Sequence, residues 1–129
     1  MIVIDASALI EVLLRTPAAS TIAGALIESG PVHAPHLIDV EVAQVLRRYV
    51  LSGDIGMDLG SAALADLQNF PALRHRHDFL LPRVWQLRNN LSAYDAVYLA
   101  LAEALDAPLL THDARLRTAA RRHSSVRLL

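Results

Sequence analysis

Residues 91–116 read "LSAYDAVYLALAEALDAPLLTHDARL". A helix, a strand and the start of a second helix follow one another in this stretch. Ser92 is placed to cap the first helix. Ala96, Leu99, Ala100 and Ala104 give it small and apolar packing positions. Pro108 closes it. "LLTHD" then reads as a strand that runs into the carboxylate of Asp113, and the basic segment "ARLRTAARRH" (114–123) as the helix beyond.

The chain opens on the same arrangement. In "IVIDASAL" (2–9), Ile2, Val3 and Ile4 form a short buried strand that ends on Asp5, and a helix over 6–15 follows, stopped near Pro17. In a parallel sheet these two strand ends lie on one edge, where open α/β sheets place their ligands. A helix over 19–30 ends at Gly30, and "PVHAP" is extended, with Val32 a strand residue between prolines. Ile38, Val42, Val45, Leu46 and Tyr49 mark a helix from 36 to Gly53. A weaker helix covers 57–70. Residues 72–90 begin polar and become an amphipathic helix through Leu80, Val84, Trp85 and Leu87, with Pro82 tolerated in its first turn. "VRLL" (126–129) reads as a terminal strand. This alternation predicts an α/β fold with a mainly parallel sheet and helices on both faces, in a single domain of 129 residues.

Composition narrows the chemistry. The chain is 53% hydrophobic and 19% charged, enough to build a core. It has no cysteine, which excludes disulfides and thiolate metal sites and suits a reducing cytoplasm. No segment approaches the roughly 18 apolar residues of a membrane span, and the N-terminus lacks a signal-peptide pattern; a soluble intracellular protein is expected. All twelve basic residues are arginine. Without lysine there is no P-loop lysine, no Schiff base and no partner for a phosphorylated aspartate. The net charge of −1 is uneven. Residues 1–72 carry three arginines against eight acids, and residues 73–129 carry nine against five. The second half therefore suits either an anionic partner or a salt-bridged surface.

The carboxylates each allow two readings. Asp5 and Asp113 occupy equivalent strand ends, each with a hydroxyl neighbour, Ser7 or Thr111; either could be a helix cap or a ligand. Ser92 and Asp95 resemble a capping box, yet a carboxylate in a first turn also points beyond the helix end. Glu41 lies on the flank of its helix's apolar face, and Asp39 reads as a helix-start residue. Clustered carboxylates raise one another's pKa or hold a cation. Oxygen donors without cysteine select Mg²⁺ or Mn²⁺, which activate water and neutralise a phosphodiester without a histidine base. The six histidines show no metal-binding spacing and receive no catalytic role; His112 is expected on the face opposite Asp113 if its strand continues.

Taken in order, "IVIDASAL", the Glu41 segment "VEVAQVLRR" and "LSAYDAVYLALAEALDAPLLTHDARL" resemble the PIN-domain family, and the last block is similar to VapC-type toxins of bacterial toxin–antitoxin pairs. The likeness covers nearly the whole chain, although 54–78 matches no motif. It implies a three-layer α/β/α sandwich with a central parallel sheet, and a Mg²⁺- or Mn²⁺-dependent endoribonuclease. By position it implies Asp5, Glu41, Asp95 and Asp113 as the acidic set, with Asp5, Asp95 and Asp113 holding metal and Glu41 orienting the attacking water. Ser7 and Thr111 are implied as supporting hydroxyls. A cognate antitoxin covering the site and a homodimer are also implied. Among the arginines of the second half, Arg88 and Arg115 stand closest in sequence to Asp95 and Asp113 and are the first candidates to grip RNA.

Other classes compete. A phosphatase with an aspartyl nucleophile also begins with a strand ending in aspartate, but wants a second acid where Ser7 stands and a lysine this chain lacks. A receiver domain fails on the same lysine. A non-catalytic PIN-like module for RNA or protein, with the carboxylates as caps only, is the stronger alternative.

Overall fold

The computed structural model describes residues 1–129. Four strands form one sheet: β1 (Ile2–Ile4), β2 (Val32–Pro35), β3 (Ala72–His75) and β4 (Leu109–Leu110), in the order β3-β2-β1-β4. Every pairing is parallel. β1 is fully buried, as its unbroken apolar run requires for a strand covered on both faces. The helices are α1 (Ala6–Leu13), α2 (Ala19–Ser29), α3 (Leu37–Ser52), α4 (Met57–Gln68), α5 (Leu81–Gln86), α6 (Ala93–Leu105) and α7 (Ala114–His123), with a 3₁₀ turn at Asp78–Leu80.

The strand order makes the layers. From β1 to β2 to β3 the chain steps one way across the sheet; β4 lies on the other side of β1. Right-handed crossovers then put the intervening helices on opposite faces. α1 packs on α2, α3 and α4, while α6 packs on β1, β2, β4 and α5. The result is the three-layer α/β/α sandwich, with 30 buried apolar residues in one continuous core. The direction of travel reverses between β1 and β4, so the crevice outside their carboxyl ends is the switch point of the sheet.

The sequence reading departs from the structure in three places. Residues 72–75 form β3, where the sequence predicts only a polar lead-in to a helix. β3 is an edge strand with no fully buried residue, so it carries no apolar run to betray it. The "LLTHD" strand stops at Leu110. The terminal "VRLL" strand shrinks to a single bridge between Leu109 and Leu128. Gly53, at φ +82°, ends α3 in the left-handed region, as glycine after a helix commonly does.

Candidate active site

Parallel strands deliver their carboxyl ends to one edge, and the chain places a carboxylate just beyond each of two neighbouring strands, β1 and β4. Asp5 follows β1 and Asp113 follows β4 after a two-residue extension; the Asp5 amide donates to the Leu110 carbonyl at 3.1 Å and ties the two ends together. α6 runs antiparallel to the strands, so its first turn, with Asp95, opens on the same edge. α3 departs from that edge, and Glu41 sits one turn in. Asp5, Glu41, Asp95 and Asp113 thus line one cleft of about 580 Å³. Ser7 and Arg115 line it too, and Thr111 lies buried beneath.

Asp5 is 4% exposed and fully engaged. Its Oδ1 accepts from the Ala8 amide at 3.0 Å, which makes it the N-cap of α1, and from the Ser7 hydroxyl at 2.7 Å. Its Oδ2 accepts from the Thr111 hydroxyl at 2.6 Å. Each hydroxyl spends its one proton on Asp5, and its oxygen accepts a backbone amide in return: His112 to Ser7 at 2.9 Å, Asp113 to Thr111 at 3.0 Å. The two hydroxyls therefore lock the 111–113 segment onto Asp5. Asp113 in turn caps α7, accepting from the Arg115 and Leu116 amides at 2.8 and 3.3 Å. Cap and cleft residue are one and the same for both aspartates, since a side chain at a helix start on this edge faces the crevice.

At Asp95 the capping box is half made. Ser92 Oγ accepts from the Asp95 amide at 3.2 Å, but the carboxylate makes no bond back to Ser92, which leaves it free to face the cleft. Glu41 Oε1 is buried without a hydrogen-bond partner, and so is the Tyr98 hydroxyl. Tyr98 stands one turn along α6 from Asp95, 1% exposed, and lines the same cleft.

Charge accumulates here. Burial pushes the carboxyl of Asp5 up, the Thr111, Ala8 and Ser7 hydrogen bonds pull it back, and Asp113 adds repulsion. Glu41 is raised by burial and by Asp95 and Asp5; the Tyr98 hydroxyl opposes this from nearby without reaching hydrogen-bond geometry. Asp95 is raised by burial and by Asp113, with Arg115 and Ser92 acting the other way. The Tyr98 phenol is held well above its ordinary range by burial and by these carboxylates. Such a set suits a hard dication: the donors are all carboxylate oxygens, they repel one another, and one buried oxygen has no partner. No three carboxylates or imidazoles are gathered tightly enough in this structure to clasp an ion as they stand.

Several cleft residues escaped the sequence reading. Glu11 is a fifth acid, bonded to the Thr16 hydroxyl and 3.8 Å from His112 Nε2. His112 itself lines the cleft, because β4 ends before it and strand alternation no longer applies. Arg48 lies seven residues after Glu41 on the same face of α3, and Tyr98 three after Asp95; helical spacing alone could have found both. Arg88 lies outside the cleft. Its guanidinium stacks 4.9 Å from the centre of the Trp85 ring and donates to the Trp85 carbonyl at 2.9 Å.

Comparison with known proteins agrees with this fold. Residues 2–122 match the PIN domain. The chain is 43% identical over 118 residues to "Ribonuclease VapC1" of Mycobacterium tuberculosis, covering 91% of this chain and 89% of that one. Among solved structures it resembles PAE2754 from Pyrobaculum aerophilum, with a TM-score of 0.71 and 19% identity over 98% of this chain and 81% of that chain. It also resembles Mycobacterium tuberculosis VapC20, described as a sarcin-ricin loop cleaving toxin, with a TM-score of 0.68 and 18% identity over 92% and 95%. These two likenesses concern the fold.

Proposed function

The chain belongs to the PIN-domain family, and from that premise we propose that it is a metal-dependent endoribonuclease, the toxin of a toxin–antitoxin pair. The observation that carries this reading is the meeting of four carboxylates from four separate segments in one cleft at the switch point of the sheet. The 43% identity to a protein named a ribonuclease supports RNA as the substrate.

Asp5, Asp95 and Asp113 would hold Mg²⁺, with Mn²⁺ as a substitute; such an ion, when bound, supplies Lewis acidity and an activated water. Glu41, raised by burial and by its acidic neighbours, orients the attacking water and accepts its proton. Ser7 and Thr111 keep Asp5 in a fixed orientation and pin the loop that carries Asp113. Arg115, whose charge already acts on Asp95, steadies the phosphate beside the cleft.

One domain of 129 residues, a cognate antitoxin over the cleft and a homodimer complete the proposal, with the family as their support. A cytoplasmic setting is supported by the lack of cysteine; no helix is long and apolar enough to cross a membrane. The test is to sequence RNA ends after brief expression in cells. Wild type should create new ends at a restricted set of sites, and Asp5→Asn none. Identical RNA ends with both would leave a non-catalytic module as the better description.

A further inference from the structure

The arginines of the second half have unequal fates. Arg74 is tied to Asp39 at 3.0 Å, Arg76 to Asp78 at 3.1 Å and Arg83 to Glu103 at 2.8 Å. Arg88 is folded on Trp85, and Arg117 donates to the carbonyls of Thr111 and Leu129. The guanidinium groups of Arg115, Arg121, Arg122 and Arg127 meet neither an acid nor a carbonyl of the protein, and of these Arg115 and Arg122 line a common groove. These two lie seven residues apart on one face of α7, about 10 Å along its axis.

Between α7 and the turn at Asn89 and Asn90 runs a groove of about 530 Å³, lined by both arginines, Thr118 and His123. No acid lines it, and its only apolar lining residues are Ala114 and Ala119. Ala114 and Arg115 also line the acidic cleft, so the two depressions adjoin. Protein partners anchor on large apolar and aromatic side chains, which this groove lacks. Unpaired guanidiniums beside free amides instead fit a single-stranded polyanion with readable base edges.

We propose that this groove holds the RNA segment flanking the scissile phosphate on one side, with Arg115 and Arg122 on its backbone and the amides of Asn89 and Asn90 on a base. This deepens the ribonuclease reading and rests on it. Each amide offers one acceptor and two donors and can pair with the exposed edge of an unstacked base. Cleavage would then carry a base preference at one position on that side, set by residues outside the acidic cleft. A good bidentate contact corresponds to about tenfold discrimination or more.

The experiment uses a randomised single-stranded RNA, cleaved in Mg²⁺ and read by sequencing the ends. It compares wild type, Asn89→Ala/Asn90→Ala and Arg122→Gln. All three substituted side chains are exposed, and thermal melts check that the variants stay folded. In parallel, RNA affinity is measured across a salt series in an Asp5→Asn background, with and without Arg122→Gln. Support is a one-sided base preference that flattens about tenfold in the double variant, together with a log–log salt slope reduced by about 0.7 on losing Arg122. Wild-type cleavage with a preference untouched by the double variant, and an unchanged slope, would overturn the groove while leaving the ribonuclease standing. No cleavage and no RNA binding by the unaltered groove would sink the groove together with the reading beneath it.

Discussion

Glu41→Gln should stabilise the metal-free protein. Glu41 Oε1 is buried with no partner, and Asp95 and Asp5 both oppose its charge. A buried acceptor left unsatisfied costs about 1–3 kcal/mol. Glutamine keeps the shape, removes the charge and brings an amide donor towards the remaining carboxylates, but its own burial takes back part of the gain. A net gain of about 1 kcal/mol follows, or about 3–5 °C in Tm for a chain of this size. The sign with pH is fixed. The folded-state pKa of Glu41 lies above its ordinary value of 4.5, so the folded protein binds this proton more tightly than the unfolded chain. Below 4.5 the group is neutral in both states and the variant gains nothing; the advantage grows as pH rises through the folded value and is complete above it. The assay is a set of circular-dichroism melts in EDTA between about pH 4 and pH 8, the span from the ordinary carboxyl value to mild base. A Glu41→Gln protein that melts below wild type at the alkaline end, or that gains equally at both ends, would refute the repulsion and burial argued for this carboxylate.

Asp95→Asn in EDTA should melt no lower than wild type, because relief from burial and from Asp113 outweighs a helix-dipole contribution of about 0.3–1 kcal/mol. A clear loss of stability would make Asp95 chiefly a capping residue. Thr111→Val should cost about 2 kcal/mol in a denaturant titration, since it removes the proton held by Asp5 Oδ2 and the acceptor of the Asp113 amide together. A change under about 0.5 kcal/mol, within the ordinary range of surface substitutions, would mean that the hydroxyl lock contributes little.

The site was more legible than the periphery of the fold. Asp5, Asp95 and Asp113 each sit where an element meets the carboxyl edge; strand and helix signals mark them as cap or ligand, and the resemblance to the PIN-domain family joins them into one set. Glu41 is the weaker inference: its flank position reads equally as solvated surface, and only the fold brings it against Asp5, Asp95 and Tyr98 in the cleft. The choice between cap and cleft residue at Asp5 and Asp113 dissolves because one side chain both caps a helix and lines the cleft, which no count of motifs would reveal. β3 was illegible for a physical reason. It is a short edge strand, and its sequence, "ALRH", owes its charge to Arg74, which reaches across to Asp39. Arg88 is near Asp95 in sequence, but its guanidinium lies on the Trp85 ring instead. Tyr98 and Arg48 show the converse: helical spacing had placed them beside Asp95 and Glu41, but neither an aromatic nor a lone arginine announces a cleft in an apolar helix.

The central claim is that this cleft cuts RNA with the help of a divalent cation held by carboxylates. The most direct measurement is cleavage of a defined single-stranded RNA by the purified protein in Mg²⁺, in Mn²⁺ and in EDTA, alongside Asp5→Asn and Asp113→Asn under the same conditions. Cleavage by wild type in either metal, none in EDTA, recovery when metal is restored, and none by either variant are the predicted results. RNA cleavage that survives thorough chelation, or that persists in both variants, would contradict the account.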